Sequence, residues 1–238
     1  MSTFINLSPK QSKNIDNAIF KNARQLRKDA LLIVEKNKSY SSANSLLILS
    51  SEEVIKAILV LLHSEGYEVY QISDAKKFFY NHEIRHQLAQ LLEMTAGFIE
   101  SVQKYENRAP VKLFKTNNVF GGFLNFVHEI ATASDPFVDS TKRIKDLENF
   151  NDNKNNGLYV GYKDKLIIPK EKITEAEYRK TKEIVERIFR VYKKLRILYH
   201  PCIHNRKDQE EIEDTKMKMK IFIDEGMEGF SFKELSFK

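Results

Sequence analysis

Residues 46–62 restrict the fold of this chain more than any other stretch. Leu46, Leu47, Ile48, Leu49, Val54, Ile55, Ala57, Ile58, Leu59, Val60, Leu61 and Leu62 make a helix here apolar on nearly every side. A helix with no wet face belongs in the middle of a bundle. The break at Asn37-Lys38-Ser39 and the stop at Gly66 bound it, so a helix is expected over residues 41–65. Its uninterrupted apolar runs, 46–49 and 57–62, fall far short of the ~18–20 residues that span a bilayer. Between those runs sit three charges, Glu52, Glu53 and Lys56. Ions are rarely buried unless paired, because desolvating them costs several kcal/mol. The offsets 52/56 and 53/56 let both glutamates reach the lysine on one face.

The flanking segments read as partners for that helix. Ile15, Ile19, Ala23, Leu26, Ala30 and Ile33 recur at helical spacing and predict an amphipathic helix over 12–36. A third helix is expected from Ser73 or Asp74 to about residue 106, where Arg108-Ala109-Pro110 ends it. Short helices are expected over 124–133 and 141–150. The run Asn151-Asp152-Asn153-Lys154-Asn155-Asn156-Gly157 reads as a polar loop. Beyond it, Leu158-Tyr159-Val160-Gly161-Tyr162 and Leu166-Ile167-Ile168-Pro169 read as the arms of a small hairpin turned at Lys163-Asp164-Lys165, which must lean on the helices for stability. Thr174 with Glu177 three residues on matches a capping box opening a helix over 174–198. Its stripe of Ile184, Val185, Ile188, Val191, Tyr192 and Leu195 faces the core. Residues 206–238 are charged and carry one peripheral helix. The expected organisation is one helical domain over 1–200 and a charged tail over 201–238. With only 8 Gly and 5 Pro in 238 residues, a many-stranded fold has too few turns available.

Composition bounds the setting. The net charge is +6, a modest excess that favours acidic partners such as nucleic acid. The single cysteine, Cys202, rules out a disulfide framework within one chain, and the first 28 residues lack the apolar core of a signal peptide. A cytoplasmic protein away from the membrane is expected.

Two clusters can carry chemistry. Besides Glu52, Glu53 and Lys56, the offsets of His82, Arg85 and His86 place all three on one helical face. Histidine transfers protons near neutral pH and arginine holds phosphate bidentately. Together they suit metal-free cleavage of an RNA backbone: activation of the 2′-hydroxyl, protonation of the leaving oxygen and neutralisation of phosphate charge. His82 and His86 also have the spacing of two helical metal ligands, with Glu52 or Glu53 as a third. The fragment Tyr199-His200-Pro201-Cys202-Ile203-His204 lacks the second ligand pair of a zinc site. His63 and His128 stand alone and read as structural. No metal and no cofactor is expected. The helix over 174–198 is strongly basic, and Arg187, Arg190, Lys193 and Lys194 are its candidates for nucleic-acid binding.

Three stretches in order, Asp29-Ala30-Leu31-Leu32 with Tyr40-x-x-Ala43 leading into Ser51-Glu52-Glu53-x-x-Lys56, then Phe79-x-x-His82-x-x-Arg85, then Asn156-Gly157-Leu158-Tyr159-Val160 before Pro169, resemble the AbiV family of abortive-infection proteins, assigned to the HEPN superfamily. The resemblance spans about residues 15–195. It departs at Gly161, where the family often has Asp, and the arginine–histidine spacing of the better-known HEPN ribonucleases has no counterpart here.

The resemblance implies an all-α HEPN-type bundle with a hairpin-like excursion near 158–168, paired as a homodimer. It implies an anti-phage effector that shuts down translation, with RNA or the translation machinery as target and a phage-encoded protein as activator. In the ribonuclease form His82 or His86 is the acid/base, Arg85 binds phosphate, and Glu52, Glu53 and Lys56 orient them. In the alternative form the bundle only binds and blocks a phage or ribosomal partner. Glu52 and His82 lining one open cleft favour chemistry; the same groups sealed in ion pairs favour binding.

Overall fold

The computed structural model describes residues 3–71, 79, 89, 146–147, 149–202 and 209–228. Apart from residues 79 and 89, the expected helix over 74–106 lies outside them, as do the one over 124–133, most of the one over 141–150, and His82, Arg85, His86, His128 and His204.

The described elements form an all-α bundle with one two-stranded hairpin. A short helix α1 (Pro9–Ser12) opens on Ser8, whose hydroxyl and backbone N–H complete a capping box with Gln11. Helix α2 (Ile15–Asn37) buries Ile19, Ala23 and Ala30, and ends on Lys38 in the left-handed region (φ 53). Helix α3 (Tyr40–Ser64) is the axis of the structure: 18 of its 25 residues are buried, and it packs along α2, α4 and α6. Its end is a Schellman motif. Gly66 (φ 84) donates to the His63 carbonyl and Tyr67 to the Leu62 carbonyl, while the Tyr67 ring is buried beneath the turn.

Helix α4 (Phe150–Leu158) corrects the expected polar loop. Four Asn, an Asp and a Gly have poor intrinsic helix propensity. Tertiary contact overrides it, because Phe150, Lys154 and Gly157 fall on one helical face and are buried against α3. Gly157 permits the approach: a Cβ there would lie 2.7 Å from the Ser41 carbonyl oxygen and closer still to Ser45 Oγ.

Strands β1 (Gly161–Lys163) and β2 (Lys165–Ile167) pair antiparallel, with Tyr162 opposite Leu166, around Asp164 in the left-handed region (φ 58). The hairpin was expected to lean on the helices, yet Tyr162 is 76% exposed and Leu166 57%. Ile167 and Ile168 turn partly inward. Helix α5 (Pro169–Lys172) leads to α6 (Glu175–Leu198). Thr174 caps α6 by accepting from the Glu177 N–H, but the Glu177 carboxylate takes Lys180 instead of closing the box. The buried stripe of α6 is Tyr178, Thr181, Ile184, Val185, Ile188, Phe189 and Tyr192.

Helix α7 (Gln209–Glu228) crosses the far end of the bundle. Lys216 and Lys220 sit over the rings of Tyr199 and Tyr67, 5.6 and 5.4 Å from the centroids, and Asp224 accepts from the Glu68 N–H at 2.9 Å. No helix among the described residues is long and apolar enough to cross a membrane.

Candidate functional site

Beyond Tyr40 at its start, the partly exposed positions of α3 are Ser42, Leu46, Leu49, Glu53, Lys56 and His63, which follow one another at helical spacing. Glu53 and Lys56 lie on this stripe, in a close ion pair with side chains 20% and 18% exposed. Glu52 does not. One residue earlier means about 100° around the helix, and there its side chain is 2% exposed.

The expected pairing of Glu52 with Lys56 is therefore replaced by one between helices. The Lys154 ammonium, 8% exposed, donates to Glu52 Oε1 at 3.3 Å. Ser45 secures the same joint from α3, its hydroxyl donating to the Lys154 carbonyl at 2.8 Å. A buried ion pair recovers its desolvation cost only when geometry and extra hydrogen bonds are good. Lys154 gives no sequence signal for this role, because its stretch reads as a loop until α3 folds it.

On α6, Arg190, Lys193 and Lys194 are exposed and Arg187 is half-buried. A second buried cluster, on α2 and α6, escaped sequence reasoning. Asp16 is fully buried, accepts from the Tyr192 hydroxyl at 2.7 Å and lies 3.3 Å from the Arg196 guanidinium. In sequence Asp16 looks like a routine acid in a helix's first turn. Burial, with the Asp16 hydrogen bond second, pushes the Tyr192 phenol well above the ordinary tyrosine range. Where α3 meets the start of α6, the Tyr40 hydroxyl donates to Glu175 at 2.8 Å, and that bond, with Arg179 next, holds the Glu175 carboxyl below its usual range.

The remaining candidates are accounted for locally. His63 Nε2 is 2.8 Å from the Leu7 carbonyl and its ring stacks on Tyr70. His200 Nδ1 accepts from the Cys202 N–H at 3.2 Å, and Cys202 itself is exposed. Among the described residues, no three His, Cys, Asp or Glu side chains converge as a metal site would need.

The AbiV family model matches residues 11–190, from α1 through most of α6. The chain belongs to the AbiV family. AbiV proteins are HEPN proteins of abortive infection, the anti-phage defence, and the helical bundle agrees with that assignment. No curated protein and no solved structure matches the chain. Within the AbiV match lie Glu52, Glu53, Lys56, Lys154 and Gly157; helix α7 lies beyond it.

Proposed function

We propose that this AbiV protein is an effector that shuts down translation in infected cells by acting on RNA. The observation that carries the reading is the cationic segment of α6, which the family match enters as far as residue 190. From residue 187 to 198 it holds no acid, and Arg190, Lys193 and Lys194 stand in solvent. Such a surface attracts the phosphate backbone without regard to sequence. In the ribonuclease form of the proposal, one of His82 and His86 takes the 2′-hydroxyl proton while the 2′-oxygen attacks phosphorus. The other protonates the departing 5′-oxygen, leaving a 2′,3′-cyclic phosphate, and Arg85 neutralises the phosphoryl oxygens. No metal or cofactor takes part. Glu52 has a scaffolding role in this scheme, because its carboxylate is buried on Lys154. Glu53 and Lys56 remain within reach of a ligand.

The test is incubation of purified protein, with and without a phage lysate as trigger, with total cellular RNA beside a His82→Ala/Arg85→Ala variant. Cleavage by the wild type alone is expected. Intact RNA in every arm overturns the ribonuclease form.

One observation favours a second reading, occupancy without chemistry. Both glutamates of the acidic pair are engaged in ion pairs, Glu52 with Lys154 and Glu53 with Lys56. A pull-down from infected cells that recovers ribosomal or phage proteins with uncut RNA supports it. In either form the working unit is a cytoplasmic homodimer answering a phage-encoded activator, with residues 1–200 as the effector domain and 201–238 as an appended tail.

A further inference from the structure

Helices α2 and α6 run antiparallel along a charged seam. Asp16 meets Tyr192 and Arg196, the Phe20 ring stacks 4.1 Å from Tyr192 and lies 5.3 Å from Phe189, and Arg27 reaches Glu186 at 2.7 Å. As the number rises on α2 it falls on α6. The seam sorts the charges. Both of its acids are consumed within it, Asp16 by Tyr192 and Arg196 and Glu186 by Arg27. Between residues 17 and 28 of α2 there is no other acid, and between 187 and 198 of α6 there is none. What stands outward is a surplus of one sign: Lys21, Arg24 and Lys28 on α2, and Arg190, Lys193 and Lys194 on α6, all exposed. No carboxylate among the described residues pairs with any of the six.

We propose that these two rows form one phosphate-tracking face for RNA, with α2 as a second rail beside α6. The proposal rests on the RNA-directed reading above and extends it to a helix that reading does not include. Long side chains bridge the two helices along the seam, and seven residues along α2 cover about 10 Å. The face thus presents cations in two directions, as a strand lying across both helices requires. A lipid surface is the other anionic partner such a face could meet. Membrane-surface helices add a broad apolar side to their cations. Here the only large hydrophobic residues exposed on the two helices are Leu32 and Ile197.

The experiment uses the full chain and a fluorescein-labelled single-stranded RNA of mixed sequence, with anisotropy read across a salt series. Three variants carry the same charge change: Lys21→Glu/Arg24→Glu/Lys28→Glu on α2, Arg190→Glu/Lys193→Glu/Lys194→Glu on α6, and Lys165→Glu/Lys170→Glu/Lys172→Glu near the hairpin as control. Each phosphate contact contributes about 0.7 to the slope of log affinity against log salt. The α2 and α6 variants are each expected to flatten that slope by about 2 and to weaken binding at least about tenfold relative to the control. Glutamine versions of the same triples, checked by circular dichroism, guard against misfolding. An α2 variant that binds like the control overturns the two-rail face. So does a wild type that binds phosphatidylserine vesicles but not RNA. RNA bound in the expected pattern yet never cut leaves the face standing and removes only the ribonuclease form of the function.

Discussion

Replacing Glu52 separates a scaffold from a catalyst. Its carboxylate is 2% exposed and its partner Lys154 is 8% exposed, on a different helix. Removing one member of a buried pair typically costs about 3–5 kcal/mol, because the remaining ion stays desolvated. Glutamine retains an acceptor for the ammonium, so Glu52→Gln is placed at the lower end, about 3 kcal/mol. Against a total stability of about 5–15 kcal/mol for an ordinary domain, that is a large fraction. In the closed cycle of Glu52→Leu, Lys154→Met and the two combined, each single change should cost about 3 kcal/mol or more and the double well under their sum, a coupling of at least about 2 kcal/mol. The assay is urea unfolding followed by far-ultraviolet circular dichroism, with unchanged m-values confirming that the same surface is exposed. Single effects that simply add, with coupling near zero, would refute the claim that this pair joins α3 to α4. Protection of cells against phage supplies the functional arm. A double variant that folds and still protects is expected, and one that folds but no longer protects would make Glu52 more than a scaffold.

Gly157→Ala forces α4 away from α3, because the new methyl meets the Ser41 carbonyl and Ser45 Oγ. Overpacking of this kind costs about 1–3 kcal/mol, read by thermal melting, and adding Ser45→Ala should relieve only part of it, since the backbone oxygen remains. Alkali should unfold the protein. Burial holds the Tyr70, Tyr192 and Tyr199 phenols above their ordinary range. Their contribution is intact below the unfolded tyrosine value near 10 and is lost as pH rises past it, by up to about 1.4 kcal/mol per unit for each ring. Phenolate absorbance and loss of helical signal should rise together; ionisation of all ten tyrosines with the helices intact would contradict this. Truncation after Cys202 removes two cation–π contacts and the Asp224 hydrogen bond, for a loss of about 2–3 kcal/mol with cooperative unfolding retained. A non-cooperative melt would mean that α7 is integral to the bundle.

The sequence revealed the described helices wherever one physical signal acted alone. All-round apolarity placed α3 within a residue of its ends, and a single stripe placed α2 and α6. It failed where burial had to be known first. The Asn-rich stretch of α4 is helical only because α3 receives Phe150, Lys154 and Gly157. Spacing allowed either Glu52 or Glu53 to reach Lys56, and the choice turned on which of two adjacent residues faced a neighbouring helix. Asp16 was hidden for the same reason, since a buried acid and an ordinary first-turn acid look alike until Tyr192 and Arg196 are placed above it. Family motifs picked out the segment around Glu52 without distinguishing its members.

The burial of α3 bears on how a defence protein of this kind can change. Hosts and phages select against one another, so the parts that recognise an invader must vary quickly. Helix α3 offers few positions for such variation: most of its side chains are enclosed, and a single altered methylene is felt in a packed core. Adaptive drift is thereby channelled to the exposed hairpin with Tyr162 and Leu166 and to α7, which lies beyond the shared family region. Substitutions in related chains should accumulate there, around an axis that natural selection holds nearly still.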